Sequence, residues 1–292
     1  MEDLVTLIVV SYNHSMFVKE CLESIENQSY NNMQLIIVDD ASTDNSQQLI
    51  QNWIINQKIK IHCIFNEKNK GLSKSLNNCF DLIKGRYTKF ISADDLLDQN
   101  YLKKTVNFLS INSSRNFGMV CTHTWAIDEN SLIIDDIADY NLLLMHSKEE
   151  LRDLLLKGNR IAALTVLMRT DVLFDTGRYD EELILEDYDR WLRINEKYWI
   201  GYIPEKLSYY RIHGANISTI NQNRIDEEIL FLKIKYDKKC LNHEMINYEI
   251  RNFFLDGKLS EKLKKIYFMY PKRNKLTTIF IKLNLKYILS KF

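Results

Sequence analysis

Residues 34–44 read Gln34-Leu35-Ile36-Ile37-Val38-Asp39-Asp40-Ala41-Ser42-Thr43-Asp44. A short apolar, β-branched run breaks off at two adjacent carboxylates and a polar turn, which predicts a buried strand ending at a loop. The same pattern recurs on either side. Thr6–Val10, Ile59–Phe65 and Tyr87–Ile91 read as strands, and helical periodicity fills the gaps between them. Phe17, Cys21 and Ile25, with Val18 and Leu22, form one apolar helical face. Leu49, Ile50, Trp53 and Ile54 form a second, with Asp44 and Gln47 spaced as a capping box at its start. Leu72, Leu76, Cys79, Phe80 and Ile83 form a third, with Gly85 placed to end it. Strand and helix alternating at this spacing predict parallel strands joined by crossovers, an open α/β sheet.

Farther along, the rhythm changes. Met119–Ala126 and Ser131–Ile134, joined through Asp128-Glu129-Asn130, predict a hairpin. Ser147 with Glu150 caps a helix that reaches Gly158, and Asp187–Tyr198 is a further helix. Beyond Ile220 the chain is mainly helical and increasingly basic.

Composition narrows the function classes. The 292 residues carry 39 Lys plus Arg and 39 Asp plus Glu, yet the balance is uneven. From Gly257 on there are 10 basic residues and one acid, Glu261, so the last 36 residues carry +9 and the rest −9. Only 8 Gly and 2 Pro speak against collagen-like or Pro-rich disorder and against a Gly-paved phosphate loop. Five scattered cysteines without a CxxC pair speak against a structural zinc and fit a reducing compartment. The N-terminus carries no secretory pattern, and no stretch approaches the roughly 20 apolar residues that cross a bilayer. The sequence therefore predicts a cytoplasmic body.

In open α/β sheets ligands bind beyond the carboxyl ends of the strands. Polar groups follow all four predicted strands: Ser11-Tyr12-Asn13, Asp39-Asp40-Ala41-Ser42, Asn66 with Asn69-Lys70-Gly71, and Ser92-Ala93-Asp94-Asp95. One acid pair is accounted for by a turn and a helix cap. Two pairs at two strand ends repel unless a cation or ligand donors neutralise them. Oxygen ligands with no adjacent Cys or His in sequence favour Mg2+ or Mn2+. A third cluster, Glu186-Asp187-Tyr188-Asp189, is either a charged first helical turn or part of the same cleft. Tyr210-Arg211-Ile212-His213 follows it with a cation and an imidazole.

The ordered set resembles the family 2 glycosyltransferases of the GT-A fold, inverting enzymes that move a sugar from a nucleotide diphosphate. It comprises Val10-Ser11-Tyr12-Asn13, Val38-Asp39-Asp40-Ala41-Ser42, Asn69-Lys70-Gly71-Leu72-Ser73, Gly85-Arg86-Tyr87, Ser92-Ala93-Asp94-Asp95, Gly177-Arg178-Tyr179, Glu186-Asp187 and Tyr210-Arg211-Ile212-His213. The resemblance implies a GT-A open mixed sheet, with mostly parallel N-terminal strands flanked by helices, over residues 1–218. A mainly helical basic extension, 219–292, follows. It implies Tyr12, Asn13, Asp40 and Asp94 as nucleotide contacts, Asp95 as ligand of Mn2+ or Mg2+, and Asp187 as the base that deprotonates the acceptor. His213 and Arg211 become candidates for the diphosphate or metal, with Asp39 and Glu186 in support. Ser92 stands where many members carry Asp, and Leu76 where many carry Arg.

The implied donor is a UDP- or dTDP-sugar, and the implied acceptor a saccharide or lipid-linked hydroxyl in surface polysaccharide or glycolipid synthesis. The rival readings are a metal-dependent nucleotidyltransferase, which would release pyrophosphate, and a non-catalytic sugar-nucleotide binder. The basic tail, 257–292, either lies on an anionic membrane surface, placing the enzyme peripherally on the inner face, or packs on the body with a solvated basic face. Leu276, Phe280, Leu283 and Tyr287 fit a helical stripe there, while Ile281, Leu283, Leu285 and Tyr287 fit a strand. Nothing in it resembles a module that reads nucleic acid.

Overall fold

Seven consecutive buried residues, Val5–Ser11, form the strand β1. A strand apolar on both faces belongs inside a sheet covered on both sides. In the computed structural model, β1 lies between β2 (Met33–Asp39) and β4 (Tyr87–Ser92), parallel to both, and β3 (Ile61–Phe65) extends the parallel set beyond β2. The structure describes residues 2–57, 59, 61–134 and 147–289. Residues 135–146, within the predicted irregular region, and Lys291 of the basic tail lie outside the described residues.

Helices α1 (Val18–Glu26), α2 (Ser46–Ile54) and α3 (Leu72–Cys79) connect the parallel strands. The sheet continues through β5 (Leu96–Leu97), β6 (Phe117–Ile127), β7 (Val166–Arg169) and β8 (Trp199–Arg211), in the order β3-β2-β1-β4-β7-β6-β8-β5. β7 runs antiparallel to β4 and β6, whereas β6 and β8 are parallel with register shifts around His123. Helices α4 (Tyr101–Ile111), α5 (Lys148–Lys157), α6 (Thr170–Asp175) and α7 (Glu186–Lys197) complete this part. The result is the open, mixed α/β sheet of the GT-A class. Register fixes the site: Ser11 pairs with Asp39 and Val10 with Ser92, so the polar segments after these strands emerge at one sheet edge.

Several local expectations change. Asp44 does not box with Gln47. Its carboxylate takes the amide of Ser46 at 2.9 Å and that of Ser15 at 2.9 Å, while the Gln47 amide reaches Asp39 at 2.8 Å. Gly85 does not cap α3, which ends at Cys79. A Cβ there would stand 2.5 Å from the Thr6 backbone nitrogen, so the glycine permits a close approach to β1. The predicted hairpin keeps its turn at Asp128 and, among the described residues, shows a single bridge, Ile127 with Ile133, since β6 is already paired with β7 and β8. The Ser147–Glu150 capping box forms, each backbone amide donating to the other's side chain.

The chain divides into two units, Met1–Arg152 with Arg160–Asn216, and Asp153–Asn159 with Ile217–Phe292. The second is helical: α8 (Ile217–Ile220), α9 (Gln222–Tyr236), α10 (His243–Leu255), α11 (Glu261–Met269), α12 (Lys275–Lys282) and α13 (Lys286–Leu289). It has its own core, in which Leu230, Ile234, Ile246, Ile250, Phe254, Leu263, Tyr267 and Phe280 pack together. Asp237 ties it by accepting from the Leu241 and Asn242 amides and from the Tyr270 hydroxyl at 2.7 Å. The helix-or-strand ambiguity of the tail is resolved as helix. Of the predicted stripe only Phe280 is buried, while Leu276, Leu283 and Tyr287 face solvent.

Candidate active site

The loop after β1 is shaped by the turn after β2. Asn13 adopts a left-handed backbone (φ 56°), as does Ala41 (φ 63°). The Asn13 amide donates to Ser42 Oγ at 2.8 Å, that of His14 to Ser46 Oγ at 2.9 Å, and that of Ser15 to Asp44. In return Asn13 Oδ1 accepts from the Thr43 amide at 2.8 Å. Asn13, assigned to the nucleotide by the resemblance, has a side-chain oxygen that braces this loop. Tyr12, beside it, is exposed at the sheet edge.

The first acid pair is likewise occupied. Asp39 is fully buried and accepts from Ser42 and Gln47. Asp40, also buried, takes the Gly71 amide at 2.8 Å, the Lys70 amide at 3.0 Å and the Asn66 side-chain amide at 2.8 Å. Gly71, at φ 84°, turns its N–H onto this carboxylate at the start of α3, a conformation that favours glycine. Asp40 therefore holds the 66–71 loop against β2.

The second pair splits in two. Asp94 Oδ2 lies 3.0 Å from His213 Nε2 and 3.7 Å from His14 Nε2, and its buried Oδ1 has no hydrogen-bond partner among the described residues. One ligand atom from each of His14, Asp94 and His213 falls within 4.8 Å of the others. Asp95 turns the other way: it is buried and its Oδ1 accepts from the Arg211 amide at 3.0 Å. Asp95, the expected metal ligand, is thus not among the three groups whose ligand atoms lie together, which are one carboxylate and two imidazoles. Sequence reading passed over His14. Its signal was an imidazole one residue beyond a strand-end loop, which becomes informative only when that loop is seen to lie beside Asp94.

Electrostatics follow from this split. Burial alone would raise the Asp94 pKa, but the hydrogen bond with His213 and the proximity of His14 outweigh it and the net shift is downward. For Asp95, burial and then the Asp94 charge push the pKa well above the usual carboxylate range. Burial, ahead of the opposing pull of Asp94, lowers His14 from 6.5, leaving a neutral ring able to act as a ligand at neutral pH. Lys89 on β4 is fully buried, with its ammonium donating to the Leu164 carbonyl and lying 4.8 Å from the Tyr101 ring centroid. Burial lowers its pKa to about 7, with Asp95 opposing.

Arg211, a candidate for the diphosphate, has a buried guanidinium that hydrogen-bonds within the protein. It bonds the Asp94 carbonyl at 2.8 Å, the Glu20 carboxylate at 2.6 Å, the Asp128 carbonyl at 3.0 Å and Ser131 Oγ at 2.9 Å. Phe17 lies between two of these groups, its ring 5.0 Å from that of His213 and 4.7 Å from the guanidinium. Arg211 and Phe17 thus position the loop that carries Asp94 and the ring of His213.

The third acid cluster opens α7. Glu186 and Asp189 are buried and Asp187 is half-buried, with Asp189 paired to Arg193 at 2.8 Å. The segment leading into this helix is fixed across α3, where Ser73 Oγ donates to the Leu183 carbonyl at 3.1 Å and the Asn77 side-chain amide to the Tyr179 carbonyl at 3.0 Å. Since the start of α3 also holds Asp40, the Glu186-Asp187 turn is tied to the same sheet edge. Leu76 is buried on α3, and the Ser92 hydroxyl contributes to the lowering at Asp94.

Comparison with known proteins agrees with this architecture. The family model described as Glycosyl transferase family 2 matches residues 6–172. The putative teichuronic acid biosynthesis glycosyltransferase TuaG of Bacillus subtilis is 28% identical over 74% of this chain and 82% of its own. Two solved structures share the fold. Residues 1–349 of S. aureus TarS, in complex with UDP-GlcNAc, superpose with a TM-score of 0.64 at 16% identity, covering 98% of this chain and 86% of that one. The mannosyltransferase PcManGT of Pyrobaculum calidifontis, in complex with GDP-Man and Mn2+, gives 0.63 at 14% identity, covering 100% and 81%. Because the matched stretch spans more than half the sequence, and includes both acid pairs and the loop they frame, the chain belongs to glycosyl transferase family 2 and is a glycosyltransferase.

Proposed function

We propose that the chain transfers a sugar from a nucleoside diphosphate to an acceptor hydroxyl in a single in-line displacement that inverts the anomeric carbon. The observation that carries this reading is the His14–Asp94–His213 group at the sheet edge, on whose first loop Tyr12 is exposed. A divalent ion fits there: Asp94 retains a buried oxygen without a partner among the described residues, and the donors lie close enough to share one cation. Two imidazoles suit Mn2+ better than Mg2+, which prefers all-oxygen surroundings. When bound, the ion would supply Lewis-acid stabilisation of the diphosphate leaving group.

The chain's own residues do the rest. Tyr12 offers an exposed ring for the nucleotide base to stack on. Asp40 shapes the 66–71 loop that borders the nucleotide, and Arg211 holds the Asp94 loop in place. Asp187, half-buried at the mouth of α7, would take the acceptor hydroxyl proton as the new bond forms, an effect worth typically 10²–10⁴-fold. Glu186 supports that turn.

The TarS and PcManGT complexes contain UDP-GlcNAc and GDP-Man, which supports a nucleotide-sugar donor. The name of TuaG supports an acceptor in surface polysaccharide synthesis. Among the described residues no helix is long and apolar enough to cross a membrane. We place the enzyme at the inner face, acting on a saccharide or lipid-linked hydroxyl.

The test is a screen of UDP-, dTDP- and GDP-sugars with Mn2+ and mixed acceptors, assayed for free nucleoside diphosphate. Nucleoside diphosphate release supports the reading; no release from any donor, with pyrophosphate formed instead from a nucleoside triphosphate and a sugar 1-phosphate in a parallel assay, would overturn it in favour of nucleotidyl transfer. With the active donor, Asp187→Asn should keep donor affinity and lower kcat at least ~10²-fold. Near wild-type turnover would remove Asp187 as the base.

A further inference from the structure

Helix α12 is inverted relative to an ordinary surface helix. Its inward face carries Thr277, Thr278, Phe280 and Ile281, all buried, so two of the four packed positions are hydroxyl-bearing. Its outward face carries Leu276, Ile279 and, at the cap, Leu283, which are 47%, 51% and 61% exposed. These three residues share one side of the helix with Lys275 and Lys282, both exposed, and Lys272 and Arg273 precede the cap. Tyr287 and Ile288, on the short helix α13 that follows, are also exposed. Folding alone would place Leu and Ile inside and Thr outside. The helix is nevertheless well made, since Asn274 Oδ1 caps it by accepting from the Thr277 amide at 2.9 Å.

We propose that the outward face of α12 docks on an anionic lipid bilayer, with Leu276, Ile279 and Leu283 entering the headgroup boundary while the surrounding lysines meet acidic headgroups. Charge complementarity selects this occupant. From Gly257 on, the sole acid is Glu261, and it is already paired with Lys264 at 2.6 Å. A second copy meeting the same face would bring like charges together. Five exposed apolar side chains also fall well short of the roughly 20–30 residues a side of a stable protein interface. A short apolar face combined with a basic rim supplies the two weak signals that together give reversible membrane attachment. This surface lies in the second unit and does not involve the catalytic residues, so the donor chemistry proposed above stands or falls separately.

The experiment is cosedimentation of the full-length protein with vesicles of phosphatidylcholine alone and of equal parts phosphatidylcholine and phosphatidylglycerol. Wild type should pellet with the anionic vesicles, not the neutral ones, and detach as salt rises. Leu276→Asn/Ile279→Asn/Leu283→Asn should abolish pelleting. Each lysine near an anionic leaflet contributes about 1 kcal/mol, roughly fivefold in partitioning, so Lys275→Glu/Lys282→Glu should lower it at least ~25-fold. Because all five side chains face solvent, circular dichroism, Tm and nucleoside diphosphate release without vesicles should match wild type, showing that both variants fold. The proposal is overturned if wild type fails to pellet with anionic vesicles, if the triple variant pellets like wild type, or if light scattering shows a wild-type dimer that the triple variant dissolves.

Discussion

Asp39-Asp40 and Asp94-Asp95 look alike in sequence: each is an adjacent acid pair at the end of a parallel strand. The protein treats them differently. The first pair is saturated from within, by the Ser42, Lys70 and Gly71 amides and the side chains of Asn66 and Gln47. The second pair is divided, with Asp95 spent on the Arg211 amide and Asp94 left facing two imidazoles with one oxygen unpartnered among the described residues. The supply of donors decides which carboxylates are held wholly within the fold.

Substitutions can break this contrast. Asp94→Ala should have the largest effect, lowering metal-dependent kcat/KM by ~10²–10³-fold at nearly unchanged Tm. Full activity in that variant would return the metal to Asp95. Asp40→Ala should do the reverse. Deleting a buried carboxylate strands its donors, so unfolding free energy should fall by about 3 kcal/mol while Mn2+ affinity of the folded protein holds. A denaturant titration alongside calorimetry separates the two outcomes. His14→Ala should weaken Mn2+ binding ~10–100-fold and narrow the preference over Mg2+. An unchanged Mn2+ titration would mean that His14 is a neighbour and not a ligand.

The effect on activity is smallest, and on stability pH-dependent, at the buried amine behind the second pair. Lys89 titrates near 10.5 in the unfolded chain and at about 7 in the fold, so between these values the unfolded chain holds a proton that the native protein lacks. Stability should therefore rise with pH through this window, with a slope of up to ~1.4 kcal/mol per pH unit. Lys89→Met should flatten that slope in a series of urea titrations, and an unaltered slope would show that the ammonium keeps its proton inside the protein.

The parallel half of the fold was legible because β-branched runs and strand-end polar residues carry their information locally. Val5–Ser11 and Met33–Asp39 are read almost residue for residue. The crossing of β7 between β4 and β6, and the long parallel pair β6–β8, were not legible, since each depends on partners that no local period announces. In the site, residue types were more legible than roles. Asn13, Asp40 and Arg211 are polar at a sheet edge, as a ligand contact would be, yet their hydrogen bonds go to other parts of the chain. Whether α12 faced inward or outward was equally hidden, because its leucines satisfy a helical period in either orientation.

Arg211 reaches Glu20 across 191 residues, and His213 reaches Asp94 across 119. Both contacts wait for β8, the last strand of the sheet. At roughly 5–20 residues per second, a ribosome exposes the acids of the second pair for on the order of ten seconds before Arg211 follows them. During synthesis the parallel strands can pair early, but the carboxylates at their edge have no staple and no imidazole partner from the far end of the sheet. The His14–Asp94–His213 group is therefore completed in a late step of folding, when one guanidinium closes over chain that was made long before it.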